Sequence, residues 1–404
     1  SVVDLVGPKH AISTIAMRGK DANELVQLRV SLDQQRKNAS SSGSPKLQAP
    51  TPREKRFAEG LMSCQSFVLA KSAAIQNRIF APQVMVDPGD LERRPTGYGG
   101  DGAEVPEVPS VAVIDEAAAA PLQPSMTIAR NGFVFSRGAM RTEECLLPRA
   151  AAIDPRTKSL LVTCLGIDSV IAYDALSATP AEATRRHWNV GAGPTGIAID
   201  ADKRQAVVFS QFDRTVSVLA LDDGELVDDR SAPPSVEKTA LAPIPNGPSP
   251  QLMIGRMLFH ASGDVRISSD GRACASCHPD GRDDAITWAT PDGPRRSIML
   301  AGRLSKTAPY SWNGNAATID AHLGSTFQRL RGSGLRSSEL EALVAYVSSL
   351  PAPPPRQIED QAKVKRGREI FTSTEAACES CHAGADFTDG LNHDVGSKHT
   401  ADHA

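Results

Sequence analysis

Short apolar runs of alternating polarity, separated by turn residues, dominate the chain up to about residue 221. The stretch 148–175 reads PRAAAIDPRTKSLLVTCLGIDSVIAYDA, and the stretch 194–221 reads PTGIAIDADKRQAVVFSQFDRTVSVLAL. They align without a gap at an offset of 46 residues, with Asp154 on Asp200, Leu161 on Val207, Val162 on Val208 and Val170 on Val216. In each, an apolar strand ends in Asp, and a turn carrying Lys or Arg follows. A second apolar strand, a polar turn and a third, β-branched strand complete the unit. A repeat of about 40–50 residues built from short strands predicts β-propeller blades. Asp154 and Asp200 open the tight turns, where their carboxylates can accept backbone N–H bonds, a structural role. Asn77–Val86 and Ser110–Asp115 read as further strands in a looser version of the pattern. The first part of the chain holds about five or six such units, so the ring is expected to be incomplete. The polar, Pro/Ser-rich stretch Asn38–Lys55 reads as a long exposed loop.

The pattern then changes. Ala232-Pro-Pro and Pro243-Ile-Pro-Asn-Gly-Pro-Ser-Pro250 read as a linker. Gly255-Arg-Met-Leu-Phe259 and Gly367-Arg-Glu-Ile-Phe371 each read as the end of a short helix. Ser338-Glu-Leu-Glu341 is a capping-box pattern. After it, Leu340, Leu343, Val344, Val347 and Leu350 fall on one helical face, and Pro351-Ala-Pro-Pro-Pro355 ends the helix. The expected layout is a propeller over 1–231, a linker over 232–250, and two helical domains over 251–351 and 352–404.

Each helical domain carries a Cys-x-x-Cys-His pentapeptide: Cys274-Ala-Ser-Cys277-His278 and Cys378-Glu-Ser-Cys381-His382. This is the c-type haem attachment pattern, in which two thiols add across the haem vinyl groups and the His becomes the proximal iron ligand. Paired thiols also serve as zinc ligands or as a thioredoxin-like redox pair. Zinc knuckles seldom place His directly after the second Cys, and a thioredoxin pair sits between a strand and a helix. Two covalently bound haems are therefore the leading expectation.

Composition narrows the picture. The chain has 404 residues, enough for two or three domains. A net charge of −3 predicts no nucleic-acid partner and no attraction to acidic membranes. No apolar run is long enough for a membrane span. The first residue is Ser, so the chain reads as a processed or partial product. Of seven cysteines, Cys64, Cys145 and Cys164 lie outside the pentapeptides and are expected as small buried core residues rather than a disulfide framework. Covalent haem attachment predicts the periplasm.

Two resemblances extend this reading. Pro194-Thr-Gly-Ile-Ala-Ile-Asp200 and Thr215-Val-Ser-Val218 resemble the repeat of the YVTN family of bacterial β-propellers. From about residue 250 the chain resembles the bacterial di-haem cytochrome c peroxidases, which include MauG. Gly255 to Phe259 and Cys274 to His278 match the family's lead-in and first haem motif. Tyr310 to Ile319 and Cys378 to Gly384 match its middle segment and second motif, with Phe387-Thr-Asp389 and His393-Asp-Val-Gly396 beyond. The implied fold is an all-β propeller followed by mostly α-helical cytochrome c-like haem domains, the second truncated. The family's Asp-Gly-Arg is Asn313-Gly314-Asn315 here, and its downstream acidic groups have no clear counterpart.

The resemblance implies site residues as well. His278 and His382 would be the proximal iron ligands. Trp312 matches a Trp that bridges the haems, although a core aromatic fits the same pattern. His322 falls near a distal position, as sixth ligand or proton shuttle. Met299 is the alternative distal ligand or a core residue, and Arg295 and Arg296 are candidates for neutralising haem propionates. His393, His399 and His403 are the only candidate ligands after the second motif, where no Met follows. Relatives often hold Ca²⁺ between the haems. The activity implied is periplasmic hydrogen peroxide reduction with electrons from a small donor protein, a c-type cytochrome or cupredoxin. The alternatives are MauG-like oxidation of a partner protein, non-catalytic electron transfer or binding, and a structural propeller with degenerate haem domains. The propeller would serve as a docking scaffold.

Overall fold

The computed structural model describes residues 62–89, 98, 107–126, 144–221, 236–354 and 360–393. It also gives two short paired strands, β1 (Val2–Val3) and β2 (Ile12–Ser13). The stretch 38–55 lies outside these residues, as do His399 and His403.

Three antiparallel sheets follow in chain order. The first contains β3 (Met62–Cys64), β4 (Ala70–Ser72), β5 (Ile75–Val86), β6 (Glu107–Asp115) and β7 (Ala120–Met126), with β5 and β6 at its centre. The second contains β8 (Pro148–Asp154), β9 (Ser159–Cys164), β10 (Ser169–Asp174) and β11 (Thr184–Asn189). The third contains β12 (Pro194–Asp200), β13 (Gln205–Ser210), β14 (Thr215–Ala220) and β15 (Val236–Ala240). In the last two, each strand pairs with the next in sequence, so the two aligned repeats form successive blades. β15 lies inside the stretch read as a linker and completes the third blade. The described residues thus carry three blades.

Local chemistry explains the blades. Every side chain of β9 is buried, because its sheet is sandwiched between the other two. β13 alternates instead, and Val207 and Phe209 face outward. The turn aspartates act as expected: Asp154 Oδ1 accepts from the Arg156 amide at 3.1 Å, and Asp200 Oδ1 from the Lys203 amide at 3.0 Å. Asp154 also reaches the next blade. Arg204 donates to its two carboxylate oxygens at 3.0 and 2.9 Å, and the Asp154 side chain is 1% exposed. Cys64 is a buried core residue, as expected. Cys145 and Cys164 correct the expectation: they form a disulfide. Their wide spacing in sequence gave no sign of it, because antiparallel pairing of β8 with β9 is what brings the chain before β8 beside the end of β9.

The C-terminal region contains α1 (Pro250–His260), the single turn α2 (Cys274–Cys277), the hairpin strands β16 (Thr287–Thr290) and β17 (Gly293–Arg296), α3 (Ile319–Arg329), α4 (Ser337–Ser349) and α5 (Gln361–Phe371). α4 crosses α1 closely, and Gly255 allows it. A Cβ there would lie 2.0 Å from the Ala342 carbonyl oxygen. Gly367, its counterpart in the second lead-in, has open space around it. Glu339 caps α4 by accepting from the Arg336 amide at 3.1 Å, so the helix starts slightly before the expected Ser338. Phe259, Leu343 and Val347 are buried, and they share one core with the propeller residues Leu147, Leu165 and Phe212. No helix among the described residues is long and apolar enough to cross a membrane.

The expected fold class needs correction. A propeller followed by mostly α-helical cytochrome c-like domains is not what the chain forms. Regular structure is mainly β-sheet, with five helices among the described residues, one of them a single turn. Between α2 and α3 the chain runs through turns, 3₁₀ segments and a hairpin. Pro279, Pro291, Pro294 and Pro309 punctuate that stretch and interrupt helical hydrogen bonding.

Candidate functional site

α2 is one turn long, so most of its carbonyls lack intrahelical partners. The Cys274 carbonyl accepts from the His278 amide at 2.9 Å, and the Ala273 carbonyl from the Ser276 amide at 3.1 Å. The next two carbonyls are satisfied by the propeller: Gln65 Nε2 donates to Ala275 O and to Ser276 O, each at 2.7 Å. On the other side of His278, Arg149 of β8 donates to both Asp280 oxygens, at 3.1 and 3.3 Å. The propeller therefore grips the first pentapeptide on both flanks.

Burial raises the Cys274 thiol to about 12. Burial also raises Cys277 well above the ordinary thiol range, although Arg272 pulls it down. Such thiols stay protonated at neutral pH, which argues against a dithiol redox pair. Among the described residues no three His, Cys, Asp or Glu side chains are gathered to hold a metal ion, so a zinc site is not assembled. Burial lowers His278 to about 4, with the Arg282 and Ile298 carbonyls and Asp283 pulling upward. Its Nδ1 is buried and makes no hydrogen bond.

One cavity of about 430 Å³ joins the candidates from both pentapeptides. Cys277 and His278 line it, and so do Cys381 and His382 from the distant second motif. Met299, Trp312, His322 and His393 also line it. Its volume lies in the range of small-molecule and cofactor sites. Burial holds the His322 pKa below its ordinary value, and His278 and Arg329 lower it further. Trp312 donates from Nε1 to Arg296 O at 2.9 Å and meets the Tyr98 ring edge-on at 5.6 Å. Met299 also packs against the shared core. His393 contacts Asp389 Oδ2 at 2.7 Å.

A tetrapyrrole fits the first motif on three observations. The Cys277 thiol lines the cavity with Cys274 one turn before it, the His278 imidazole with its buried, unpartnered Nδ1 follows, and apolar side chains such as Leu300 and Leu304 line the wall. The second motif is built differently. No residue of α5 is buried, His382 is exposed, and the ring of Phe371 lies 6.5 Å from the His382 ring. Its segment meets the first through Asn392, whose Nδ2 donates to Gly314 O at 3.2 Å. Arg295 and Arg296 do not line the cavity, and Arg296 is held by Asp283 at 3.2 Å.

Sequence reading missed Gln65, Tyr98, Arg149 and Arg329. Tyr98 is anchored by its amide to Ala289 O at 3.0 Å, and Arg329 lies 5.9 Å from its ring centroid. Gln65, Tyr98 and Arg329 belong to no repeat or motif, and Arg149 lies in the first repeat without any local sign of its reach to Asp280.

Comparison with known proteins changes the family reading. The family model "Lactonase, 7-bladed beta-propeller" matches residues 140–288, a span that includes two complete blades and the first pentapeptide. No curated protein matches the chain. Among solved structures, hydrazine synthase of Kuenenia stuttgartiensis is 14% identical over 40% of this chain and 47% of that one, with a TM-score of 0.29. A 6-phosphogluconolactonase described as putative, from Bacteroides fragilis, is 15% identical over 45% of this chain and 58% of that one, with a TM-score of 0.24. The periplasmic gluconolactonase of Pseudomonas aeruginosa is 15% identical over 50% and 61%, with a TM-score of 0.26. The chain thus spans about half the length of the solved structures it matches. Likenesses of this size carry no functional conclusion.

The expected membership of the di-haem peroxidase and MauG family is corrected accordingly. The matching family is one of lactonase propellers, and nothing found supports a peroxidase relationship. Peroxide reduction, MauG-like oxidation and non-catalytic di-haem electron transfer fall with it, as do oxidoreductase and haem peroxidase as descriptions of the chain. The propeller itself stands, although the family model it matches is the lactonase one and not the expected YVTN family. So does the coarser expectation of an enzyme, since the matching family is one of enzymes. The physical reason is that Cys-x-x-Cys-His and a five-residue lead-in are short local patterns. They are too short to fix a family or a reaction.

Proposed function

We propose that the chain is an enzyme whose cofactor cavity takes covalently bound haem. Cys274 and Cys277 would carry one group, with His278 to hold its iron. Cys378 and Cys381 would carry a second, with His382. One observation carries the reading: two pentapeptides from distant parts of the chain open onto a single cavity. Haem held this way would supply an iron held by the pentapeptide histidine. The chain's own residues supply the rest. Leu300 and Leu304 give the cavity an apolar wall, and His322, its pKa lowered by burial, is placed to accept or give a proton within the cavity. An extracytoplasmic location is part of the proposal. The Cys145–Cys164 disulfide supports it, because such bonds persist in oxidising compartments.

The test is production of the chain in cells with haem-attachment machinery, followed by denaturing electrophoresis with haem staining and a pyridine haemochrome spectrum. Covalent haem is expected, with one group lost in Cys274→Ser/Cys277→Ser and the other in Cys378→Ser/Cys381→Ser. A chain that releases all its haem on denaturation refutes the proposal.

A second reading, lactone hydrolysis on the propeller, is favoured by the family match over residues 140–288. Water would add to the lactone carbonyl and the ring C–O bond would break, leaving a hydroxy acid. Proton release from an aldonolactone, followed at constant pH, tests it. A rate no greater than that of buffer removes it.

A further inference from the structure

We propose that Gln65, a residue of the propeller, positions the first pentapeptide for its cofactor. The inference rests on the haem reading above. Gln65 donates from one amide nitrogen to two carbonyls, those of the two residues between Cys274 and Cys277. With the Ala273 and Cys274 carbonyls already paired within the segment, Gln65 pairs the next two, those of Ala275 and Ser276. It does so under local strain. Its φ is +48°, in the left-handed region that side-chain-bearing residues seldom adopt. Its Oε1 is buried without a hydrogen-bond partner. Both features work against folding, and such residues persist where the surroundings hold them to a task.

A second contact closes the arrangement. Phe67, two residues along the same segment, lies under the Arg149 guanidinium, 3.9 Å from its carbon to the ring centroid. Arg149 in turn holds Asp280, two residues beyond His278. The stretch Ala275 to Asp280 is therefore pinned at both ends by one short propeller segment and by β8, an edge strand of the second sheet. His278 lies between the pins. A ligand imidazole is oriented by what holds its backbone and its neighbours, so the propeller sets the direction of this ring. In this arrangement the propeller forms part of the cofactor site.

The test uses the full chain carrying Cys378→Ser/Cys381→Ser, so that only the first group is read. In that background Gln65→Met keeps the side-chain volume and removes the donor. The expected result is unchanged haem per chain, a shifted haem absorption spectrum, and amide exchange at Ser276, Cys277 and His278 faster by about tenfold or more, one hydrogen bond's worth. Exchange in β9 and β13 should not change. A Met variant matching the parent in spectrum and exchange would mean that Gln65 only fills space, and would overturn the proposal. If that variant does not accumulate, Gln65→Asn serves, since its donor falls one methylene short; parent-like behaviour there overturns the proposal equally. If the background chain itself carries no covalent haem, the haem reading has failed. Slower exchange at Ser276–His278 in the haem-free parent than in the haem-free Met variant still tests the clamp.

Discussion

Replacing Arg204 by Ala should loosen the contact between the second and third blades. Arg204 holds both oxygens of Asp154 from across the blade boundary, at 2.9 and 3.0 Å, with side-chain exposures of 12% and 1%. Removing one partner of a buried pair typically costs about 3–5 kcal/mol, because the remaining charge is left without compensation. Asp154 would keep its bonds from the Thr157 hydroxyl at 2.6 Å and the Arg156 amide at 3.1 Å, which places the cost near the lower end. A loss of about 3 kcal/mol is roughly a hundredfold in the opening equilibrium. Native-state hydrogen exchange at the β9 and β13 amides reads that opening directly. The pH dependence gives a second arm. Burial raises the Asp154 carboxyl, but Arg204, Thr157 and the Arg156 amide outweigh it, and the net pKa lies below the ordinary 3.8. The unfolded carboxyl therefore takes up its proton first as the pH falls. The contribution is complete above pH 3.8 and is lost as the pH drops through the folded value. In Arg204→Ala most of this acid sensitivity should vanish. A loss of protection below about 1 kcal/mol, the range of an exposed pair, would refute the reasoning.

Two further outcomes follow from the same structure. Burial pushes His260 down from 6.5 to about 4; the Arg256 carbonyl and Asp280 oppose this, while Arg149 and Arg256 add to it. Its folded pKa lies below the unfolded one, so stability is complete above pH 6.5 and falls by about 3 kcal/mol as the pH drops to about 4. His260→Phe should remove about one proton from the slope of the thermal midpoint between those values, and an unchanged slope would show that His260 titrates normally. The Cys145–Cys164 disulfide spans a sequence separation of 19 residues and should contribute about 3 kcal/mol. Cys145→Ser/Cys164→Ser should lower the calorimetric midpoint by several degrees without reductant, and a midpoint equal to that of the parent would argue that the bond adds nothing.

Much of this protein was written locally. The two aligned repeats became the blades of β8–β11 and β12–β15, because alternation of apolar residues and an Asp-led turn are properties of a few neighbouring residues. The amphipathic pattern around Leu343 and Val347 became α4 for the same reason. Pentapeptides and lead-ins were equally visible, and there local legibility misled. Their resemblance to peroxidases rested on short segments, while the family match falls on the propeller and runs through the first motif.

Tertiary structure alone decided the rest. The pairing of Cys145 with Cys164, the reach of Arg204 to Asp154 and the grip of Gln65 on Ala275 and Ser276 join residues far apart in the chain. So does the cavity that gathers His278, His322 and His382. A period can announce a strand or a helix, because backbone geometry repeats every few residues. No period announces which strand end will lie against which loop, since that depends on how the blades stack and on the core they share with α1 and α4. The sequence by itself determined the two aligned blades, the helices α1, α4 and α5, and the local spacing of the pentapeptide thiols and imidazoles. The packing of the propeller against that chemistry, and hence the shape of the site, followed only from the folded chain.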